Sequence, residues 1–130
     1  MKKLLLFLSL VMLSGSSSFA MDSTQDPKFK EAAQIIVKVN NKSELCHIRS
    51  YLAAKKESDQ ARFLQYIINL RPTKDMSEFV RKLQTQNLQK MRTLRDTIDA
   101  WRKQKDFIKV RDLLDNVDTM LEGKGWGVCK

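Results

Sequence analysis

Two cysteines and one histidine are the residues whose chemistry is easiest to name in this 130-residue chain. Cys46 and Cys129 are its cysteines, and His47 is its histidine. An even cysteine count in an oxidising compartment predicts one disulfide, Cys46–Cys129. Closing a loop of roughly eighty residues would stabilise the fold by about 4 kcal/mol in the chain-entropy description. The alternatives are a bond between two chains or two reduced thiols.

His47 follows Cys46 directly, but neighbouring helical side chains point about 100° apart and do not face each other. A cysteine–histidine nucleophile would need His47 to meet Cys129, whose thiol the predicted disulfide would consume. Zinc would need a carboxylate or water beside one histidine and two distant cysteines. No spacing between His47 and a methionine indicates haem. We therefore expect no catalytic residue, no metal site and no cofactor, and keep a secreted enzyme or toxin that uses His47 as an alternative.

A stripe of arginines is the second candidate site. From Phe79 to Arg95 the chain has five basic residues and no acidic one. At 100° per residue, Arg81, Arg92 and Arg95 fall within about 60° of one another, away from the apolar face, and Arg102 lies near the edge of the stripe. Guanidinium groups in such a row can bind phosphate or carboxylate groups. The alternative is a solvated face, partly paired with acidic residues of the next helix.

The segment 123–130, GKGWGVCK, contains three of the four glycines and one of the two tryptophans. We expect Gly123 to end the last helix and the glycines to let the tail turn sharply. Trp126 would then lie over the core, while Cys129 ties the tail to the helix that carries Cys46. The alternative is a Trp126 that stays exposed and binds a partner.

Residues 1–20, MKKLLLFLSLVMLSGSSSFA, are typical of a cleaved signal peptide. Two lysines precede an apolar run from Leu4 to Leu13, and small residues precede a cut after Ala20. The run is too short to cross a bilayer of roughly 30 Å as a helix. We therefore expect an exported protein, periplasmic or secreted, whose formal net charge falls from +9 to +7 when the two lysines are removed. The alternative is an uncleaved N-terminal anchor.

Residues 21–130 predict one all-α domain of about five amphipathic helices, because no segment shows strand alternation between turn residues. Its Gly-rich C-terminal tail is residues 123–130. The first helix is predicted to begin at Pro27, after an Asp26 cap, and to run to about Val39, and Ser43 is predicted to cap the second. The third runs from Ser58 or Asp59 to Pro72, the fourth opens at Asp75 or Ser77 and runs to Lys103 as one helix or two, and the fifth runs from Phe107 to Gly123.

Each of the last two helices has an apolar face that we expect to be buried. In the longer helix the face consists of Phe79, Val80, Leu83, Met91, Leu94, Ile98 and Trp101. In the last helix it consists of Phe107, Val110, Leu113, Leu114, Val117, Met120 and Leu121. Residues 45–68 and 94–117 also align at an offset of 49 residues. The helices are therefore expected to form a small bundle or two stacked αα-hairpins.

Excess positive charge without a catalytic constellation favours a non-enzymatic binding protein. We expect it to act on another envelope or secreted protein through a groove or a basic helix face. The alternative partner is an anionic membrane or glycan surface, and binding to such a surface should weaken steeply with salt. Nucleic acid is not expected, because the sequence lacks an aromatic-and-basic binding face. Nothing in the sequence indicates an oligomeric state.

Overall fold

A computed structural model describes residues 23–129, and these residues form five α-helices with no β-strand among them. The helices are α1 Pro27–Val37, α2 Lys42–Leu52, α3 Ala61–Asn69, α4 Glu78–Lys103 and α5 Phe107–Gly123. Short 3₁₀ turns precede α1 at Ser23–Gln25 and α3 at Glu57–Gln60. The all-α prediction is confirmed, and the predicted signal peptide of residues 1–20 lies outside the described residues.

Side-chain caps fix where the helices begin. Asp26 accepts a hydrogen bond from the amide of Lys28 at 2.9 Å, and Ser77, one of two predicted caps, accepts one at the start of α4. Ser43, the predicted cap of α2, lies inside the helix instead. Asn41 takes that role, because its backbone is extended and its side chain accepts from an amide three residues ahead at 2.7 Å. Asparagine and serine cap almost equally well, so residue type alone does not choose between them.

Three helix ends differ from the prediction, among them that of α3, which ends at Asn69 rather than at Pro72. The first helix ends at Val37 rather than Val39, although Val39 remains buried beyond it. The predicted restart at Ser58 or Asp59 is a 3₁₀ turn, and the α-helix proper begins only at Ala61. The sequence therefore placed the interruption correctly and the helix boundary a few residues early.

The core lies where α5 packs against α1, α2 and α4, with α3 covering α2. Its largest fully buried side chains come from all five helices. They are Tyr51, Phe63, Ile36, Leu45, Ile48, Met91, Leu94, Ile98, Leu113 and Val117. Burying each aliphatic side chain of this size contributes about 1.5–3 kcal/mol, so these residues hold the helices together.

The two segments that align at an offset of 49 residues, 45–68 and 94–117, lie in different environments. Leu45 and Leu94 are both fully buried, but Ile68 is half exposed where Val117 is buried. Both segments are helical hairpins, yet α3 covers the bundle from outside whereas α5 runs through its centre. The similarity therefore reflects the shared amphipathic pattern and not a shared position in the core.

The longest helix is a single one, Glu78–Lys103, and its apolar face is only partly buried. Phe79, Val80 and Leu83 were expected in the core but are 71%, 44% and 51% exposed. The cause is length. The 26 residues of α4 span about 39 Å, whereas the 11 residues of α1 span about 17 Å, so α4 extends past the helices that cover it. Phe107, expected in the stripe of α5, is likewise exposed at its first turn.

Candidate functional site

The disulfide joins α2 to the C-terminal tail. Cys46 is buried on α2, and its sulfur bonds to that of Cys129 with 5.6 Å between the two Cα atoms. The prediction from the cysteine count is confirmed. Because both thiols are used in this bond, His47 has no thiolate to activate in the oxidised protein.

The tail turns back toward the core, as expected from its glycines. Gly125 and Gly127 have positive φ values of 68° and 79°, a conformation that glycine adopts without strain. The amide of Trp126 donates to the carbonyl of Leu121 at 3.0 Å, which closes the end of α5. The Trp126 ring is half-buried against the core, with the ammonium group of Lys124 5.4 Å from its centre. This residue thus packs as expected, and its role in binding stays a prediction.

His47 is held between two side chains of α3. Its ring stacks on Tyr66 with centroids 4.5 Å apart, and its Nδ1 accepts a hydrogen bond from Nε of Arg62 at 3.2 Å. Burial lowers the pKa of His47, and the charge of Arg62 adds to this effect while Glu44 opposes it. The arrangement favours the neutral form of the imidazole, which packs on the surface of α3.

A buried carboxylate beside His47 was not singled out in the sequence. Glu44, only 6% exposed, accepts hydrogen bonds from the hydroxyl of Tyr66 and from Nδ2 of Asn87, the latter at 2.8 Å. Burial and the hydrogen bond to Glu44 raise the pKa of Tyr66. These hydrogen bonds join α2, α3 and α4 at Asn87. The part of α4 that precedes Asn87 is largely exposed. The bonded residues are up to 43 residues apart, so no local pattern marks them.

Arg102, predicted as part of the basic stripe, lies against the end of α2. Its Nη2 donates to the carbonyls of Tyr51 and Leu52, the latter at 3.3 Å, and its guanidinium lies 4.9 Å from the centre of the Tyr51 ring. A cation at a helix C-terminus satisfies free carbonyls and complements the helix dipole. The hydroxyl of Tyr51 donates in turn to Asp99, which ties the same region of α4 to α2.

The other three predicted arginines do not form one cluster. Arg81 lies in the exposed first turn of α4 and donates to the carbonyls of Lys74 and Met76 at 3.4 Å. Arg95 lies about 21 Å further along the helix and pairs with Asp96 at 3.0 Å. Arg92 is half-buried between them in sequence. A ligand that contacted all three would have to be extended, such as a polymer or a surface.

The exposed apolar residues Phe79, Val80 and Leu83, here called the projecting stripe, are the feature that sequence reasoning missed. Single exposed apolar residues are ordinary, but three within two turns of one helix form a patch of the kind found at interaction sites. The sequence left this segment open as one helix or two, and it is the observed length of α4 beside the 11 residues of α1 that exposes the stripe. At 100° per residue, Arg81, Arg92 and Arg95 lie at least about 120° from Phe79 and Leu83, whereas Val80 lies between the two surfaces, about 60° from Arg95.

An open groove between α1 and α4 begins just beyond the projecting stripe. Its volume is about 390 Å³. The α1 wall consists of Glu31, Gln34, Ile35 and Lys38, and the α4 wall consists of Gln86, Gln89, Lys90 and Thr93. Seven of the eight side chains are polar or charged, but most of the surface that they present to the groove is aliphatic, and the eighth is the half-buried Ile35. A surface of this composition suits a peptide segment better than a small apolar ligand.

Within residues 23–129, no helix is both long and apolar enough to cross a membrane. Across the same span, no three His, Cys, Asp or Glu side chains are placed together so that they could hold a metal ion.

Comparison with known proteins gives no relative. No family model matches the chain, and neither the curated proteins nor the solved structures contain one that is significantly similar to it. The class defined by the fold is a disulfide-linked all-α protein.

Proposed function

We propose that this chain is an exported, non-enzymatic interaction protein that binds another protein through the projecting stripe. The observation that carries the proposal is the exposure of Phe79 and Leu83 on a helix whose remaining apolar face is buried. Export is supported by the pattern of residues 1–20 and by the Cys46–Cys129 bond, since disulfides persist in oxidising compartments.

The packed half of the molecule supports the stripe as a binding element. The two Glu44 hydrogen bonds fix α4 against its neighbours at Asn87, and Ser77 caps its first turn. The two exposed turns between these points are therefore presented as formed helix. A preformed helix loses little conformational entropy on binding, which favours recognition by a partner groove.

Site-specific photo-crosslinking in the source organism tests the proposal. The full chain, with its own leader, carries p-benzoyl-phenylalanine in place of Leu83 or, as the control, in place of Ile108, which is exposed at the start of α5. We expect a protein adduct from position 83 and none from position 108. A second substitution, Phe79→Ser, should abolish the adduct, whereas Phe107→Ser should leave it unchanged.

The outcome separates the two partner classes. Adducts only to lipid or glycan would replace the protein partner by an anionic surface, and charge reversal at Arg81, Arg92 and Arg95 should then reduce association. No adduct from position 83, or equal adducts from positions 83 and 108, would contradict the proposal.

A further inference from the structure

The projecting stripe and the groove between α1 and α4 lie on one line along α4. Phe79, Leu83, Gln86, Lys90 and Thr93 follow each other at alternating steps of four and three residues. At 100° per residue they fall within about 80° of one another. Steps of four and three are the spacing with which one helix faces another along a shared seam. The first two residues are exposed, and the last three line the groove.

Together with the α1 wall of the groove, the line from Phe79 to Thr93 forms a surface long enough to bind a helix, here called the seat. From Phe79 to Thr93 it measures about 21 Å, which corresponds to four turns. Over the first two turns α4 alone would contact the partner, through the aromatic and leucine side chains. Over the next two turns α1 supplies a second wall with Gln34 and Ile35. An occupant would therefore begin on apolar residues and continue between two walls of mostly polar or charged residues.

The charge along the seat selects the occupant. Lys38 and Lys90 line the groove, and Lys82 lies on the same side of α4 as Gln89, seven residues before it. The single acidic residue among the lining side chains is Glu31, whose carboxylate lies 3.9 Å from the ammonium group of Lys28. By the same geometry Glu78 lies about 20° from Gln89, so the rim has three lysines against two glutamates and presents a small net positive charge. A second copy of this chain would bring the same lysines against one another, which disfavours self-association through this face.

Resting on the proposed function, we infer that the partner inserts an acidic amphipathic helix into this seat. Its apolar residues contact Phe79, Leu83 and Ile35, and its flanking Asp or Glu residues face Lys38, Lys82 and Lys90. This mode is the docking of an amphipathic helix into a groove, with apolar anchors at steps of three and four residues. The arginine stripe on the other side of α4 takes no part in it.

A designed peptide provides the test. The probe is an eighteen-residue, end-blocked, fluorescein-labelled helix with leucine at steps of four and three, glutamate at the flanking positions and alanine elsewhere. Matched probes replace every glutamate by lysine or every leucine by serine. Binding to the full oxidised chain is measured by fluorescence anisotropy, and the amide signals of Gln34, Ile35 and Thr93 are followed by NMR.

We expect the glutamate probe to bind at least about tenfold more tightly than either matched probe. Lys90→Glu should weaken its binding about tenfold, whereas Lys103→Glu, an equal charge change on an exposed residue outside the seat, should have little effect. Leu83→Ser should weaken binding about as much as Lys90→Glu. The NMR signals of both groove walls should shift on binding.

Several results would overturn the inference. These are equal binding of the glutamate and lysine probes, no binding of either, an unchanged affinity of Lys90→Glu, or shifts confined to residues 79–83. A dimer in sedimentation that Leu83→Ser dissociates would assign the seat to a second copy. If any of these results accompanied a protein crosslink from position 83, the proposed function would stand and the acidic helix would be excluded. If the crosslink also failed, both would be wrong.

Discussion

Leu83 and Leu94 lie on the same face of α4, three turns apart, and only about 20° separates them at 100° per residue. Leu94 is fully buried, whereas Leu83 is 51% exposed. The difference arises outside the helix, because the helices that pack on α4, chiefly α1 and α5, cover the half that contains Leu94 and leave the half that contains Leu83 exposed. Helical periodicity thus identifies an apolar face, and the lengths of the neighbouring helices decide how much of that face is core.

The disulfide lies in the packed region, and its removal is expected to cause the largest loss of stability. Replacing Cys129 by serine should lower the free energy of unfolding by about 4 kcal/mol, because the bond closes a loop with a sequence separation of 83. Chemical denaturation under oxidising conditions measures this loss. Amides of residues 82–85 should keep their hydrogen-exchange rates, because they open by local fraying and not by global unfolding. Equal stability of the variant and the wild type in air would contradict the expectation.

Truncating the two leucines compares the two halves of α4 directly. Leu94→Ala should cost about 3 kcal/mol, since it leaves a cavity in a fully buried region. Leu83→Ala should change stability by no more than about 0.5 kcal/mol, because its side chain is already half in solvent. Urea titrations of the two variants measure both values. A loss at Leu83 as large as that at Leu94 would show that a packed surface covers the projecting stripe.

The Glu44 network marks the boundary between the two halves. Glu44→Ala leaves the hydroxyl of Tyr66 and the amide of Asn87 without their acceptor and should cost about 1–3 kcal/mol. Amides of α4 near residue 88 should then exchange faster, since the exposed part of the helix lengthens. Glu44→Gln keeps one carbonyl acceptor and should lose less. Unchanged exchange near residue 88 in Glu44→Ala would mean that Leu88 and Met91 alone set the boundary.

A smaller effect is expected from His47, which stacks on the tyrosine of the same network. Its pKa in the folded protein is lowered by burial and by Arg62, so the unfolded chain binds the proton more readily. The stabilising contribution is complete above the ordinary pKa of about 6.5 and is lost as the pH falls below that value. Unfolding curves measured between pH 7.5 and about pH 5 should show this decline.

The matched variant for the pH effect is His47→Asn, which keeps a hydrogen-bond acceptor for Arg62 and does not titrate. It should show a shallower decline over the same interval. An identical pH dependence in the variant and the wild type would assign the effect to other titrating groups.

The sequence predicted the features that depend on a few neighbouring residues or on the number of cysteines. Helical periodicity, the Asp26 cap and the pairing of two cysteines each depend on residue types and on a few positions. The projecting stripe was missed because the pattern at Leu83 is the same as at Leu94, and only an assembled bundle shows where the neighbours end. The roles of Glu44 and Arg102 were missed because their partners lie 43 and 51 residues away.

The position of Cys129 also determines when the disulfide can form during synthesis of the chain. It follows α5 in the chain, so the bond to Cys46 can form only after all five helices have been synthesised. Until then α5 must find its place against α2 without a covalent link, guided by buried residues such as Leu113 and Ile48. With one cysteine on each side, no incorrect pairing within the chain competes. Because disulfide formation takes seconds to hours and depends on the oxidant, the bond fixes the last helix in place after that helix has docked.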